Sequence, residues 1–241
     1  MRIFADGGLE PRGEYIVTGE DFRHIAYSLR MRCGEKVTVC DTGGVEYGGE
    51  LTSIGRESAV VILGEGRPCE GEPRVDIALY VALPKRDKLE FVIQKAVELG
   101  VCSITPVVSA RSLVKYGGAD AEAKLESWQK ISAEAAKHSD RGKIPRVCAP
   151  VPFGEALEQG ASAELCLFCH EGEGTVRLSE ALRQAATVAA FTGPEGGFTE
   201  VEKACAEAAG YAAVSLGKRI LRCETAPLCL ISALLYAFKE I

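Results

Sequence analysis

Residues 188–226 read VAAFTGPEGGFTEVEKACAEAAGYAAVSLGKRILRCETA. Val188–Phe191 is a short apolar run of the kind found in a strand covered on both faces. Gly193-Pro194-Glu195-Gly196-Gly197 follows it directly, and Thr199 and Glu202 then stand at capping-box spacing for a helix ending near Gly210. A second strand ends over Val214–Leu216. A second loop, Leu216–Ala226, leads into a last helix from about Glu224 to Lys239. Strand, loop and helix, repeated in that order, predict an α/β domain with a mainly parallel sheet. The last helix is apolar nearly all round, from Leu228 to Phe238, which predicts burial on every side, within the domain or against a second subunit.

The same alternation extends upstream. Val75–Leu83 predicts a buried strand. Asp87 and Glu90 have capping-box spacing for a helix whose apolar stripe is Leu89, Val92, Ile93, Ala96 and Val97, with Gly100 as its stop. Ile104–Val108 predicts a strand, Ala121–His138 a long helix, and Leu165–Cys169 another strand. The N-terminal part differs. Val37–Asp41, Tyr47–Ile54 and Ser58–Leu63 are short β-rich runs separated by glycine pairs, and a helix over Glu20–Arg30 follows Thr18 as its cap. Gly64–Pro73 has no periodicity. The expected organisation is a small β-barrel over 1–66, a linker over 67–73 and the α/β domain over 74–241.

The chain has 241 residues, 47% hydrophobic and 26% charged, with a formal net charge of −6. This balance excludes a disordered or fibrous chain. No apolar run reaches the length of a membrane helix and the N-terminus has no signal-peptide core, which predicts a cytoplasmic location. Ten cysteines without an export signal predict reduced thiols rather than disulfides. The acidic balance argues against general nucleic-acid binding. Local basic clusters allow a focused anionic site: Arg23, Arg30 and Arg32; Lys85, Arg86 and Lys88; Lys137, Arg141, Lys143 and Arg146; Lys218, Arg219 and Arg222.

The two loops of the opening segment lie at the carboxyl ends of strands, where open α/β sheets bind ligands. Glycines there let a backbone approach a ligand closely. Neither loop is a phosphate-binding Gly-Lys-Ser loop or a dinucleotide fingerprint. Cys166-Leu167-Phe168-Cys169-His170 matches a haem-attachment pattern, but a strand puts the two thiols on opposite faces, which excludes haem and zinc alike. No metal site is expected. No nucleophile elbow appears, so the chemistry is that of a binding cleft that works by positioning. Glu195 and Glu224 are candidate bases; structure is the favoured role for both, Glu224 as a helix cap.

GPEGG, its spacing to LGKRILRCETA, and PKRDKLEFVIQKAVELGVCSITP upstream resemble the RsmE family of the SPOUT superfamily, 16S ribosomal RNA uridine-N3 methyltransferases. The resemblance covers essentially the whole chain. Its N-terminal part is similar to the PUA-like RNA-binding barrel of that family, with His24, Leu29-Arg30 and Cys40-Asp41 in matching places. It implies a C-terminal trefoil knot, S-adenosylmethionine as methyl donor, 16S rRNA of the small ribosomal subunit as substrate, and a homodimer through the knot and last helix. By motif, the donor contacts are Cys169, His170, Glu171, Thr192, Gly193, Pro194, Glu195, Gly196, Gly197, Leu216, Gly217, Ile220, Leu221, Arg222 and Thr225. Arg222, Arg141 and Glu195 are the candidate catalytic residues. Arg23, Arg30, Arg32, Lys85, Arg86 and Arg141 are the candidate RNA contacts. The family commonly has Glu-Gln after the long helix where this chain has Lys137-His138. Two other readings stay open: a SPOUT methyltransferase acting on another RNA such as tRNA, and a non-catalytic RNA-binding or ribosome-assembly protein.

Overall fold

Val37 and Val39 alternate with polar residues, and in the computed structural model they lie in the first of the chain's two sheets. The structure describes residues 1–5, 7–41, 43–85, 88–112 and 119–241, with residues 119 and 120 described through their backbone only. This sheet has five strands: β1 (Arg2–Phe4), β2 (Glu14–Val17), β3 (Lys36–Cys40), β4 (Val45–Ile54) and β5 (Ala59–Pro68). Their order is β1-β3-β4-β5-β2, with β1 parallel to β3 and the other neighbours antiparallel. Ile3, Val37, Val39, Leu51 and Val61 pack in one core with Phe22 and Ile25. Those two come from α1 (Gly19–Arg23) and the π-helical stretch His24–Ser28. β1 and β2 remain edges, so the expected barrel is a half-barrel. Gly49 is required here, because a Cβ would stand 2.4 Å from Val61 Cγ1.

Several expectations are adjusted. The helix over Glu20–Arg30 is α1 plus the π-helical stretch, it stops before Arg30 at φ 52°, and the Thr18 side chain makes no cap bond. Residues 64–68 continue β5, pairing as far as Pro68 with Val45, rather than opening a linker. Asp87 lies outside the described residues.

This unit comprises residues 1–72 and 136–144. Glu72 binds the returning segment. Its carboxylate accepts from Arg141 Nη2 at 2.7 Å and Nε at 3.2 Å, and from the Gly142 and Lys143 N–H groups at 2.9 and 3.0 Å. Lys137, the departure from the family pattern, pairs with Asp21 at 2.6 Å. Glu46 is equally enclosed, between Arg2 at 2.9 Å and Arg67 at 2.8 Å. Burial works to raise the Glu46 carboxyl, but the two guanidinium groups outweigh it and hold it below its ordinary value. A depressed carboxyl contributes stability above the unfolded-state value and loses it as pH falls through the folded-state one. The unfolding temperature of this unit is therefore expected to fall from about pH 5 downward, and Glu46→Gln is expected to flatten that decline. Parallel acid titrations of wild type and variant check it; equal slopes would remove Glu46 as the cause.

The second unit comprises residues 73–135 and 145–241. Its elements run β6 (Asp76–Ala82), α2 (Lys88–Glu98), β7 (Ser103–Val108), α3 (Ala119–His138, whose last three residues belong to the first unit), β8 (Arg146–Val147), β9 (Val151–Pro152) and α4 (Phe153–Gly160). They continue with β10 (Leu165–Cys169), β11 (Val176–Arg177), α5 (Leu178–Ala181), β12 (Thr187–Thr192), α6 (Glu200–Ala208), β13 (Ala212–Ser215) and α7 (Thr225–Ala237). The sheet order is β11-β13-β10-β12-β6-β7-β8, with β9 beside β7 and every pair parallel.

The apolar stripe of α2 is buried at all five expected positions, and Gly100 ends the helix at φ 100°. Thr199 and Glu202 form the expected capping box. On one face of the sheet Tyr80 stacks on Phe191 at 4.4 Å, and Phe168 stacks on Phe198 at 4.4 Å. α7 buries Leu230, Ile231, Leu234 and Leu235 but leaves Tyr236 76% exposed. Burial of that helix on every side is therefore not met within the single chain. All ten cysteines are free; Cys40, Cys69 and Cys223 are buried, whereas Cys33, Cys205 and Cys229 are exposed. Among the described residues no helix is long and apolar enough to cross a membrane.

Candidate active site

Three central strands end side by side, and the loops that follow them enclose a cavity of about 690 Å³. β10 ends at Cys169 and delivers His170, Glu171 and Gly172. β12 ends at Thr192 and delivers Gly193 to Phe198. β13 ends at Ser215 and delivers Leu216, Gly217 and Arg219 to Cys223. β13 lies on one side of β10 and β12 on the other, yet α7 packs against β12 and β6. The connection 216–224 therefore runs from one side of β10 to the other, which brings all three loops around one space.

Of the expected donor contacts, Cys169, His170, Glu171, Gly193, Pro194, Glu195, Gly196, Gly197, Leu216, Gly217, Ile220, Leu221 and Arg222 all line the cavity. Thr192 and Thr225 do not. Thr192 is fully buried beneath the loop, and among the described residues its hydroxyl has no hydrogen-bond partner. Gly193 is the tight point: a Cβ there would stand 3.3 Å from Gly197 Cα and from the Phe198 ring. Gly217, at φ 113°, needs a glycine for its conformation alone.

Sequence reasoning missed Lys88, Arg111, Gly172, Phe198, Glu200, Val214, Ser215, Cys223 and Ala226 as lining residues. Phe198 had the clearest signal, an aromatic directly after the glycines. Its stacking on Phe168 fixes the loop to the sheet. Arg111 carries no motif; it donates to the Gly196 carbonyl from the end of β7.

The charges are partly spent on one another. Lys88 Nζ stands 3.1 Å from Glu195 and 3.2 Å from Glu224. Burial would raise the Glu195 carboxyl, but the backbone N–H groups of Glu195 and Lys85 together with Lys88 hold it below its ordinary value. Glu224 is held low by the Cys223 thiol, its own N–H and Lys88. It occupies the N-cap position of α7 but makes no side-chain cap bond, contrary to expectation, because Lys88 and Cys223 take its carboxylate. Burial pushes the Cys223 thiol up to about 12, so it is no nucleophile near neutrality. His170 Nδ1 accepts the Gly172 N–H at 2.9 Å, which leaves the proton on Nε2. Among the described residues no carboxylate pairs with Arg219 or Arg222, and both are exposed in the cavity wall.

The remaining candidates lie elsewhere. Arg141 is in the first unit, 3% exposed and paired with Glu72, so it does not line the cavity. An anion contact by Arg141 would require that pair to open. Arg23, Arg30 and Arg32 are exposed on the first unit. Lys85 is exposed and touches Glu195 through its backbone N–H. Arg86 lies outside the described residues.

Residues 71–235 match the RNA methyltransferase domain, and residues 17–64 match the RNA methyltransferase PUA domain. Ribosomal RNA small subunit methyltransferase E of Bacillus subtilis is 34% identical, covering 95% of this chain and 92% of that one. The chain belongs to the ribosomal RNA small subunit methyltransferase E family. The Synechocystis methyltransferase E is 36% identical, over 91% of this chain and 73% of its own. A solved methyltransferase E from Neisseria gonorrhoeae, bound to S-adenosyl methionine, superposes with a TM-score of 0.90 at 32% identity, over 98% of this chain and 97% of that one. Family membership accounts for the pairing of a PUA-like half-barrel with a parallel α/β unit. The GPEGG stretch and residues of the LGKRILR stretch form two walls of the cavity.

Proposed function

We propose that this chain is an S-adenosylmethionine-dependent methyltransferase that methylates N3 of a uridine in 16S rRNA of the small ribosomal subunit. On this reading the C-terminal part is knotted and the enzyme is a homodimer through the knot and α7. The observation that carries the reading is the cavity at the strand ends, lined by both family loops. Its volume suits a nucleoside-sized ligand. Gly193 and Gly217 allow backbone approach, Ile220, Leu221 and Phe198 offer apolar contact, and Glu171, Glu195 and Glu200 offer hydrogen-bond acceptors. These residues fit the donor. Exposed Tyr236 and Cys229 on α7 favour an interface there, and exposed Arg23, Arg30 and Arg32 favour RNA contact by the half-barrel.

When bound, S-adenosylmethionine supplies an electrophilic methyl group on a sulfonium. The chain holds the acceptor in line, which is worth roughly 7–11 kcal/mol in favourable systems. N3 lies on the pairing edge of uracil, so the base must be unpaired or extruded to enter. Its N3 proton must leave. Glu195 and Glu224 are both held as carboxylates by Lys88, which makes each a weak base. Arg222, and with it Arg219, instead stabilises negative charge developing on the base while the proton passes to solvent.

Incubation with labelled donor and unmodified small subunits, beside naked 16S RNA, tests the reading. The expected product is 3-methyluridine by nucleoside mass spectrometry; a different methylated nucleoside would overturn the N3 assignment. The single-turnover rate is expected to rise about tenfold per pH unit across neutrality, because the anionic base is the reacting form. A plateau from pH 5 upward would return the proton to a carboxylate. Thr192→Val is expected to stabilise the protein by about 1 kcal/mol, by removing a buried unsatisfied hydroxyl. Thermal unfolding of wild type and variant reads the effect, and a lower unfolding temperature in the variant would overturn it.

A further inference from the structure

The cavity is formed largely by loops that follow strands, and one side chain ties two of them together. We infer that Lys88 is a positioning residue, bridging Glu195 and Glu224 so that the Gly193–Phe198 and Leu216–Cys223 loops hold the shape of the donor pocket. The inference rests on the donor-site reading above and adds a residue to it.

Lys88 begins α2, beyond the loop that follows β6, and neither glycine-containing loop contains it. Its ammonium has three donors. Glu195 Oε1 is at 3.1 Å, Glu224 Oε2 at 3.2 Å and Cys223 Sγ at 3.6 Å. Among the described residues those three groups are the titratable side chains bonded to it. Glu195 comes from the loop after β12, and Glu224 and Cys223 from the connection after β13, so one cation joins segments separated by a helix and a strand in sequence. Glu195 is held a second time by the Lys85 N–H at 3.1 Å. The neighbouring Gly196 is held by Arg111 through its carbonyl. The strand-end segments of β6 and β7 thus fasten the β12 loop, and Lys88 extends the fastening to the β13 connection. Among the described residues nothing else bonded to Glu224 reaches across: its other side-chain partner is Cys223, its neighbour in the chain.

Removal of the ammonium leaves two carboxylates that had shared a single nitrogen, with no cation between them. Like charges so placed repel. That repulsion acts between the Gly193–Phe198 loop and the end of the connection after β13. The loss therefore falls on assembly of the pocket, not on the chemical step.

Calorimetric titration of S-adenosylmethionine into the full chain tests this with wild type, Lys88→Gln, Lys88→Arg and the double variant Lys88→Gln/Glu224→Gln. Lys88→Gln is expected to weaken donor binding by about tenfold or more, with turnover at saturating donor changed far less. Lys88→Arg is expected to retain most of the affinity, because it keeps the charge. The double variant is expected to bind better than Lys88→Gln alone, because the repulsion is gone. Unchanged affinity in Lys88→Gln overturns the inference, as does a double variant no better than the single one. Loss of cooperative unfolding in Lys88→Gln overturns it too, by making Lys88 a determinant of the fold. Wild type that binds no donor overturns the proposed function and the clamp with it.

Discussion

Arg222→Ala is expected to lower methyl transfer about 10²- to 10³-fold while leaving the unfolding temperature close to that of wild type. The stability half follows from exposure: the side chain stands in the cavity wall with no carboxylate partner among the described residues, so nothing folded depends on it. The activity half follows from how the cavity's cations are used. Lys88 is occupied by two carboxylates and Arg111 by the Gly196 carbonyl, which leaves Arg219 and Arg222 to meet new negative charge. Arg222 is the better placed of the two. Its carbonyl accepts the Thr225 and Ala226 N–H groups at 2.8 and 2.9 Å, so its backbone is fixed to the first turn of α7. Among the described residues Arg219 has no such backbone anchor, and Arg219→Ala is expected to cost less. Single-turnover rates of both variants at saturating donor decide the matter. Wild-type turnover in Arg222→Ala would remove it from the mechanism, and a larger loss in Arg219→Ala would exchange the two roles.

Glu72→Ala is expected to destabilise the first unit by about 3 kcal/mol, the largest single loss anticipated for a residue outside the cavity. Its carboxylate serves four donors, two on a guanidinium that is 3% exposed and two on the backbone of Gly142 and Lys143. Removing it takes a bidentate carboxylate from a buried charge, which costs more than the pair itself contributes. Gly71 tightens the same point, since a Cβ there would lie 2.6 Å from the Asp140 carbonyl oxygen. Denaturant unfolding of the full chain reads the effect. A change below about 1 kcal/mol would mean that water or the other partners of Arg141 replace the carboxylate.

The regular parts of the second unit were legible because each rests on local periodicity. The α2 stripe and the Thr199–Glu202 box are read from spacing alone, and both loops were placed at strand ends for the same reason. Lys88 was visible only as one charge in a basic run. Its importance depends on the β13 connection crossing β10, which no periodicity encodes. Glu224 shows the converse: its position suits a cap, but an ammonium distant in sequence competes for the same oxygens. Arg141 follows a long helix and resembles a surface cation, but it is buried and paired with Glu72, distant in sequence. The short strands β1, β8, β9 and β11 have two or three residues each, too few for alternation to register.

The return of residues 136–144 to the first unit bears on how the protein is made. The half-barrel strands leave the ribosome first, yet their unit still lacks the segment that supplies the partners of Glu72. Translation must pass through β6, α2, β7 and the whole of α3 before Arg141 emerges. The portion synthesised earliest is thus completed only after part of the second unit has been made, and a fragment ending at Glu72 would lack the segment that closes it.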